Sequence, residues 1–224
     1  MTATYMPVTH ADQWAVGLAK PGHWKTGYSA KSLAYCWQEA DGFPPEVRTA
    51  LQTSAEFAEI ELLLALPEHK VDLPGGVRPS QNDIWLLARA GGDLVSITVE
   101  GKVAESFDRT VDEWLRDSSE GKSQRLAFLR NLLGLHDAPL GAIRYQLLHR
   151  TASALIEAKR FGASHAVMLV HSFSPTQAWF SDFAAFASLF GVAAEPGRTL
   201  SAGKRSGVEL QLGWVCGDPA YLTK

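Results

Sequence analysis

Apolar residues along this chain recur either every third to fourth position or every second position, and the change from one rhythm to the other marks out the elements. Helical spacing predicts a short helix at Ser29–Glu39, opened by a serine able to cap it, and a second helix toward residue 54 begun by Pro44-Pro45. Residues 60–66 are apolar except for Glu61, and after Pro67 the run continues to Leu73, which fits the end of a helix or a buried strand. Two extended runs, 83–89 and 94–103, flank Gly91-Gly92, a pair able to supply the positive φ of a tight hairpin. Helices are expected at 110–116, 123–133 and 143–160, the last with Leu147, Leu148, Ala152, Leu155 and Ile156 on one face. Its other face carries Gln146, His149, Arg150, Ser153 and Glu157 and reads as solvated, although Gln146 could approach a phosphate backbone. Gly162 ends this helix before an apolar strand at 166–170, which makes a crossover unit; a helix at 178–190 and a closing edge strand at 208–215 follow. Pro74-Gly75-Gly76, 117–123 and 195–207 read as loops, so a single domain over 1–224 is expected, of mixed α/β class.

The hairpin carries the chemistry. Val95, Ile97, Val99 and Val103 point to one face of the second strand, while Ser96, Thr98, Glu100 and Lys102 point to the other. A turn centred between Gly91 and Gly92 places Asp83 directly opposite Glu100. Opposed side chains in an antiparallel pair have Cβ atoms about 4.5–5.5 Å apart, and two carboxylates at that spacing repel unless a cation lies between them. Mg2+ or Mn2+ is the natural occupant, since both take carboxylate and phosphate oxygens, and Lys102 beside them can assist an attacking water and offset charge on a phosphate. Acid-x-Lys occurs four times, at Glu68/Lys70, Glu100/Lys102, Glu120/Lys122 and Glu157/Lys159, so the pattern alone selects nothing. Only Glu100/Lys102 has both a strictly alternating strand and an acid across from it.

Composition narrows the alternatives. A hydrophobic content of 46% allows one substantial core, and a net charge of -3 excludes an overall basic footprint, so any DNA contact needs a local patch. Cys36 and Cys216 stand far apart with no metal-binding spacing and read as small core residues. The histidines show no zinc-hydrolase spacing, no nucleophile elbow surrounds Ser172, and neither glycine pair fits a phosphate loop. Trp179, Phe180 and Phe183 suit core packing or a homodimer face. The polar start, residues 1–13, has no leader pattern, and no run reaches the ~18 apolar residues of a membrane span. A cytoplasmic protein without membrane contact is expected.

The segment Asn-Asp-Ile-Trp-Leu-Leu-Ala-Arg, the glycine turn and Val-Ser-Ile-Thr-Val-Glu-Gly-Lys resemble the core of the PD-(D/E)xK nuclease superfamily, over about residues 54–171. The resemblance implies a restriction-endonuclease-like mixed central sheet flanked by helices, with an N-terminal helical extension and a C-terminal helix-strand addition. It also implies catalytic roles for Asp83, Glu100 and Lys102 in an Mg2+-dependent (or Mn2+-dependent) endo- or exodeoxyribonuclease, and metal ligation by Asp83, Glu100 and the Gly101 carbonyl. A further acid from the preceding segment, Glu61 or Glu59, could complete the site. Asn82 stands where the motif has proline. The superfamily also holds non-cleaving members, so a binding or assembly module is the alternative.

Overall fold

A computed structural model describes residues 7–224; the first six residues of the polar start lie outside the described residues. Six strands form one mixed sheet in the order β1-β2-β3-β4-β6-β5, made of β1 (Ile60–Val71), β2 (Ser80–Ala90), β3 (Asp93–Lys102), β4 (His165–Ser172), β5 (Arg198–Arg205) and β6 (Val208–Cys216). The pairs β1/β2, β2/β3 and β5/β6 are antiparallel, while β3/β4 and β4/β6 are parallel. Helices α1 (Ser29–Glu39) and α2 (Pro45–Leu51) cover one face. The other face is covered by α3 (Val111–Leu115), α4 (Glu120–Leu133), α5 (Tyr145–Phe161) and α6 (Phe180–Ser188). The protein is therefore of the mixed α/β class, and among its described residues no helix is long and apolar enough to cross a membrane.

Each layer is held by the pattern that predicted it. Val95, Ile97 and Val99 join Ile84, Leu86, Leu33 and Trp37 in the core under α1, whereas Met168, Val170, Leu210 and Trp214 pack with Leu147, Leu148 and Leu155 on the opposite side. Ends are set by local chemistry: the Ser119 hydroxyl accepts from Lys122 N at the start of α4, and Gly162, with φ 68°, stops α5 in the left-handed conformation. That stop turns the chain directly into β4, which runs parallel to β3 and is covered by helices on both faces.

Several expectations change. Residues 60–66 are strand, and β1 continues through Pro67, which an edge strand tolerates because no ladder donor is missed there. The 195–207 segment contains β5, so the C-terminal addition is a helix and two strands; its glycines hide an edge strand whose alternation is broken by a register shift between Ser201 and Gly203. Part of the stretch read as a loop at 117–123 is the first turn of α4. Cys36 is buried as expected, but Cys216 is exposed at the end of β6.

Candidate active site

The hairpin register is the one that the glycine turn dictates: Ala90 pairs with Asp93 and Ile84 with Val99, which brings Asp83 and Glu100 next to each other at the open end. On the far side of β2, the pairs Pro67/Ile84 and His69/Asn82 bracket Glu68, so Glu68, Asp83 and Glu100 form a row across three neighbouring strands. Glu68 is the residue that sequence reasoning passed over. Its backbone sits at φ 53°, an uncommon conformation for a residue with a Cβ, and its carboxylate accepts from Gln81 Nε2 at 2.6 Å.

Two cations from different elements close on this row. Lys102 Nζ donates to Glu100 Oε1 at 2.5 Å, and Arg150 Nε, from α5, donates to Glu100 Oε2 at 2.6 Å. Gln146 Nε2 is the third donor to this carboxylate and reaches Oε1 at 2.7 Å. Glu100 is 2% exposed, Lys102 4% and Arg150 7%. Burial works to raise the Glu100 carboxyl, but Lys102 and Arg150 overcome it and hold the pKa at about 2. Asp83 is in the opposite condition: burial pushes its carboxyl well above the ordinary range, and the neighbouring Glu100 and Glu68 push it further. Burial likewise raises Glu68. Asp83 Oδ2 accepts from Gly101 N at 2.8 Å, which ties the first strand's acid to the backbone between Glu100 and Lys102.

Among the described residues the ligand atoms of Glu68, Asp83 and Glu100 do not all come within 4.8 Å of one another, so a hard divalent cation would rest on Asp83 and Glu100 alone. A carboxylate offers about four lone-pair sites, and three donors on Glu100 leave one, while Asp83 receives a single backbone N–H.

The structure brings Asp83, Glu100, Gly101, Lys102 and Gln146 together and leaves Glu61 out. Glu61 is exposed and lies 3.9 Å from Arg89 near the turn end of the hairpin, roughly 20 Å from Glu68 by the rise of a strand. Glu59 is exposed just before β1. The face of α5 that reads as solvated is in fact turned onto the sheet: Arg150, Ser153 and Glu157 are buried, and Thr98 Oγ1 donates to the Arg150 carbonyl at 3.1 Å. Its polar residues match polar residues on β3, so hydropathy reports them as exposed when they are paired.

The family model described as Domain of unknown function (DUF6946) matches residues 7–219. The chain belongs to that family. No curated protein and no solved structure matches it.

This DUF6946 member also groups Cys36, Glu46 and His171, with ligand atoms within 4.8 Å of one another. Their hydrogen bonds argue against a cation. The Trp37 indole N–H donates to His171 Nδ1 at 3.2 Å, which leaves the ring proton on Nε2 to be donated to Glu46 Oε1, also at 3.2 Å. The Cys36 thiol donates to the same Glu46 oxygen at 3.4 Å, and burial pushes that thiol up and His171 down. A metal on Nε2 would have to remove that proton while the indole still occupied Nδ1, so the trio is a hydrogen-bonded part of the α1 side.

Proposed function

We propose that the protein is a metal-dependent phosphodiesterase acting on DNA, the activity that resemblance to the PD-(D/E)xK superfamily implies. The observation that carries this reading is the row of Glu68, Asp83 and Glu100 across β1, β2 and β3 with Lys102 at its end. Asp83 and Glu100 would hold Mg2+ or Mn2+, which would polarise the phosphate and lower the pKa of a bound water, with Glu68 alongside them in the row. Lys102 supplies positive charge where charge grows on the phosphate. Arg150 and Gln146 fix the Glu100 side chain from behind, so the acid keeps one orientation.

A second reading, a non-catalytic binding or assembly module of the same architecture, has one observation in its favour. Lys102 is engaged in a buried ion pair, and Glu100 is closed by three donors. One experiment separates the two: incubation of linear, nicked and single-stranded DNA with wild type, Asp83→Asn and Lys102→Ala in Mg2+ and in Mn2+, beside calorimetric titration of each metal. The phosphodiesterase reading requires cleavage by the wild type and a loss of about 100-fold or more in each variant. Absence of both cleavage and metal uptake assigns the module.

A further inference from the structure

A cavity of about 490 Å3 opens between the start of β2, residues 108–109, Trp114, and the N-terminal turns of α4 and α5. Five cationic side chains line it, Lys20, Arg78, Arg109, Lys122 and Arg125, against one carboxylate, Asp108. The whole chain carries a net charge of -3, so this is a local concentration of positive charge rather than a sample of the surface. Among the described residues no carboxylate forms an ion pair with any of the five. Arg125 is the telling case. It is buried, and its guanidinium is held by the carbonyls of Leu73, Pro74 and Gly76 at 2.8–3.1 Å, so its charge is fixed in place by neutral partners and lacks a counter-ion. Lys122 is anchored in the same way, on the Trp114 and Asp117 carbonyls.

The aromatic wall shows what part of a ligand the cavity reads. Trp114 and Tyr145 stack on each other at 4.1 Å and 9°, and Lys122 lies over the Trp114 ring at 5.5 Å, so these faces are already taken and offer no free platform for a base. What remains is charge. The wall is linked to the acid row through one residue, because Ser80 Oγ contacts His149 Nδ1 at 2.8 Å and accepts from Arg150 Nη1 at 3.2 Å, and Arg150 in turn holds Glu100.

We infer that this cavity is a phosphate-binding subsite, joined to the acid row through Ser80 and Arg150, that holds a nucleotide phosphate without reading its base. Choosing a nucleotide phosphate as ligand rests on the phosphodiesterase reading above. The phosphate belongs either to a DNA strand or to a free nucleotide. Lys20, Arg78 and Arg109 are exposed and can close on it, while Arg125 and Lys122 supply a preorganised floor.

The test is binding without catalysis. Fluorescence anisotropy of a 3′-labelled twelve-residue oligodeoxythymidine, with and without a 5′-phosphate, is measured in EDTA for the wild type and for the double variant Arg78→Glu, Arg109→Glu. Both positions are exposed, and equal melting temperatures verify the fold. The expected result is a loss of about tenfold or more in the variant, with a wild-type slope of log K against log salt of about -0.7 for the one phosphate held. Displacement by dAMP as strong as by unlabelled oligonucleotide assigns the phosphate to a free nucleotide; displacement by oligonucleotide alone assigns it to a strand. Equal binding by wild type and variant, or none by the wild type at low salt, overturns the subsite. Binding in EDTA without cleavage in Mg2+ or Mn2+ removes the activity and keeps the subsite; cleavage with charge-insensitive binding does the reverse.

Discussion

The two faces of β3 are built on opposite principles. Toward α1 it presents Val95, Ile97 and Val99, fully buried among apolar side chains. Toward α5 it presents Ser96, Thr98, Glu100 and Lys102, equally buried yet each held by a specific partner: Trp85 Nε1 on Ser96, the Arg150 carbonyl on Thr98, and Lys102, Arg150 and Gln146 on Glu100. The apolar face gains free energy from removal of area from water and needs only shape. The polar face recovers desolvation only while every donor and acceptor is matched, so it contributes little net stability and punishes any single loss.

Substitutions can break that contrast. The largest effect is expected from Arg150→Ala, which strips Glu100 of one of its two cations inside the fold and should cost about 3–5 kcal/mol in urea unfolding. Ile97→Ala, on the other face, should cost about 2–4 kcal/mol through cavity formation alone. The triple change Glu100→Gln, Lys102→Met, Arg150→Leu should cost less than Arg150→Ala by itself, because no charge is left buried and unpaired. If the triple variant is the least stable of the three, the polar face is a stabilising element and the contrast fails.

The smallest effect is a pH slope. Burial and the flanking acids raise the folded-state Asp83 carboxyl, so the folded protein keeps a proton that the unfolded chain has already released. The stability this proton contributes is present below the ordinary Asp value and is lost as pH rises through the folded value. Glu100 acts with the opposite sign: its lowered carboxyl contributes above the unfolded value and loses that contribution only as pH falls toward about 2. Asp83→Asn should therefore flatten the decline in melting temperature on the rising-pH side and leave the acid limb in place. An unchanged profile would show that the Asp83 carboxyl is not raised in the folded protein.

What the chain's own pattern determined is local. Gly91-Gly92 and strict alternation set the hairpin register and hence the meeting of Asp83, Glu100 and Lys102, because a strand's side-chain period is two and a tight turn fixes the pairing. Tertiary structure decided the rest. Glu68 joins the row only because β1 pairs along β2, past a register shift near Leu62 and Leu64, and because its backbone takes a positive φ, neither of which leaves a periodic signal. Gln146 and Arg150 became partners of Glu100 because α5 returns over β3, turning toward the sheet a polar stripe that would otherwise face water. Periodicity tells which residues share a face; what that face meets depends on pairing between segments distant in sequence, where hydrogen bonding rather than hydropathy selects the partner.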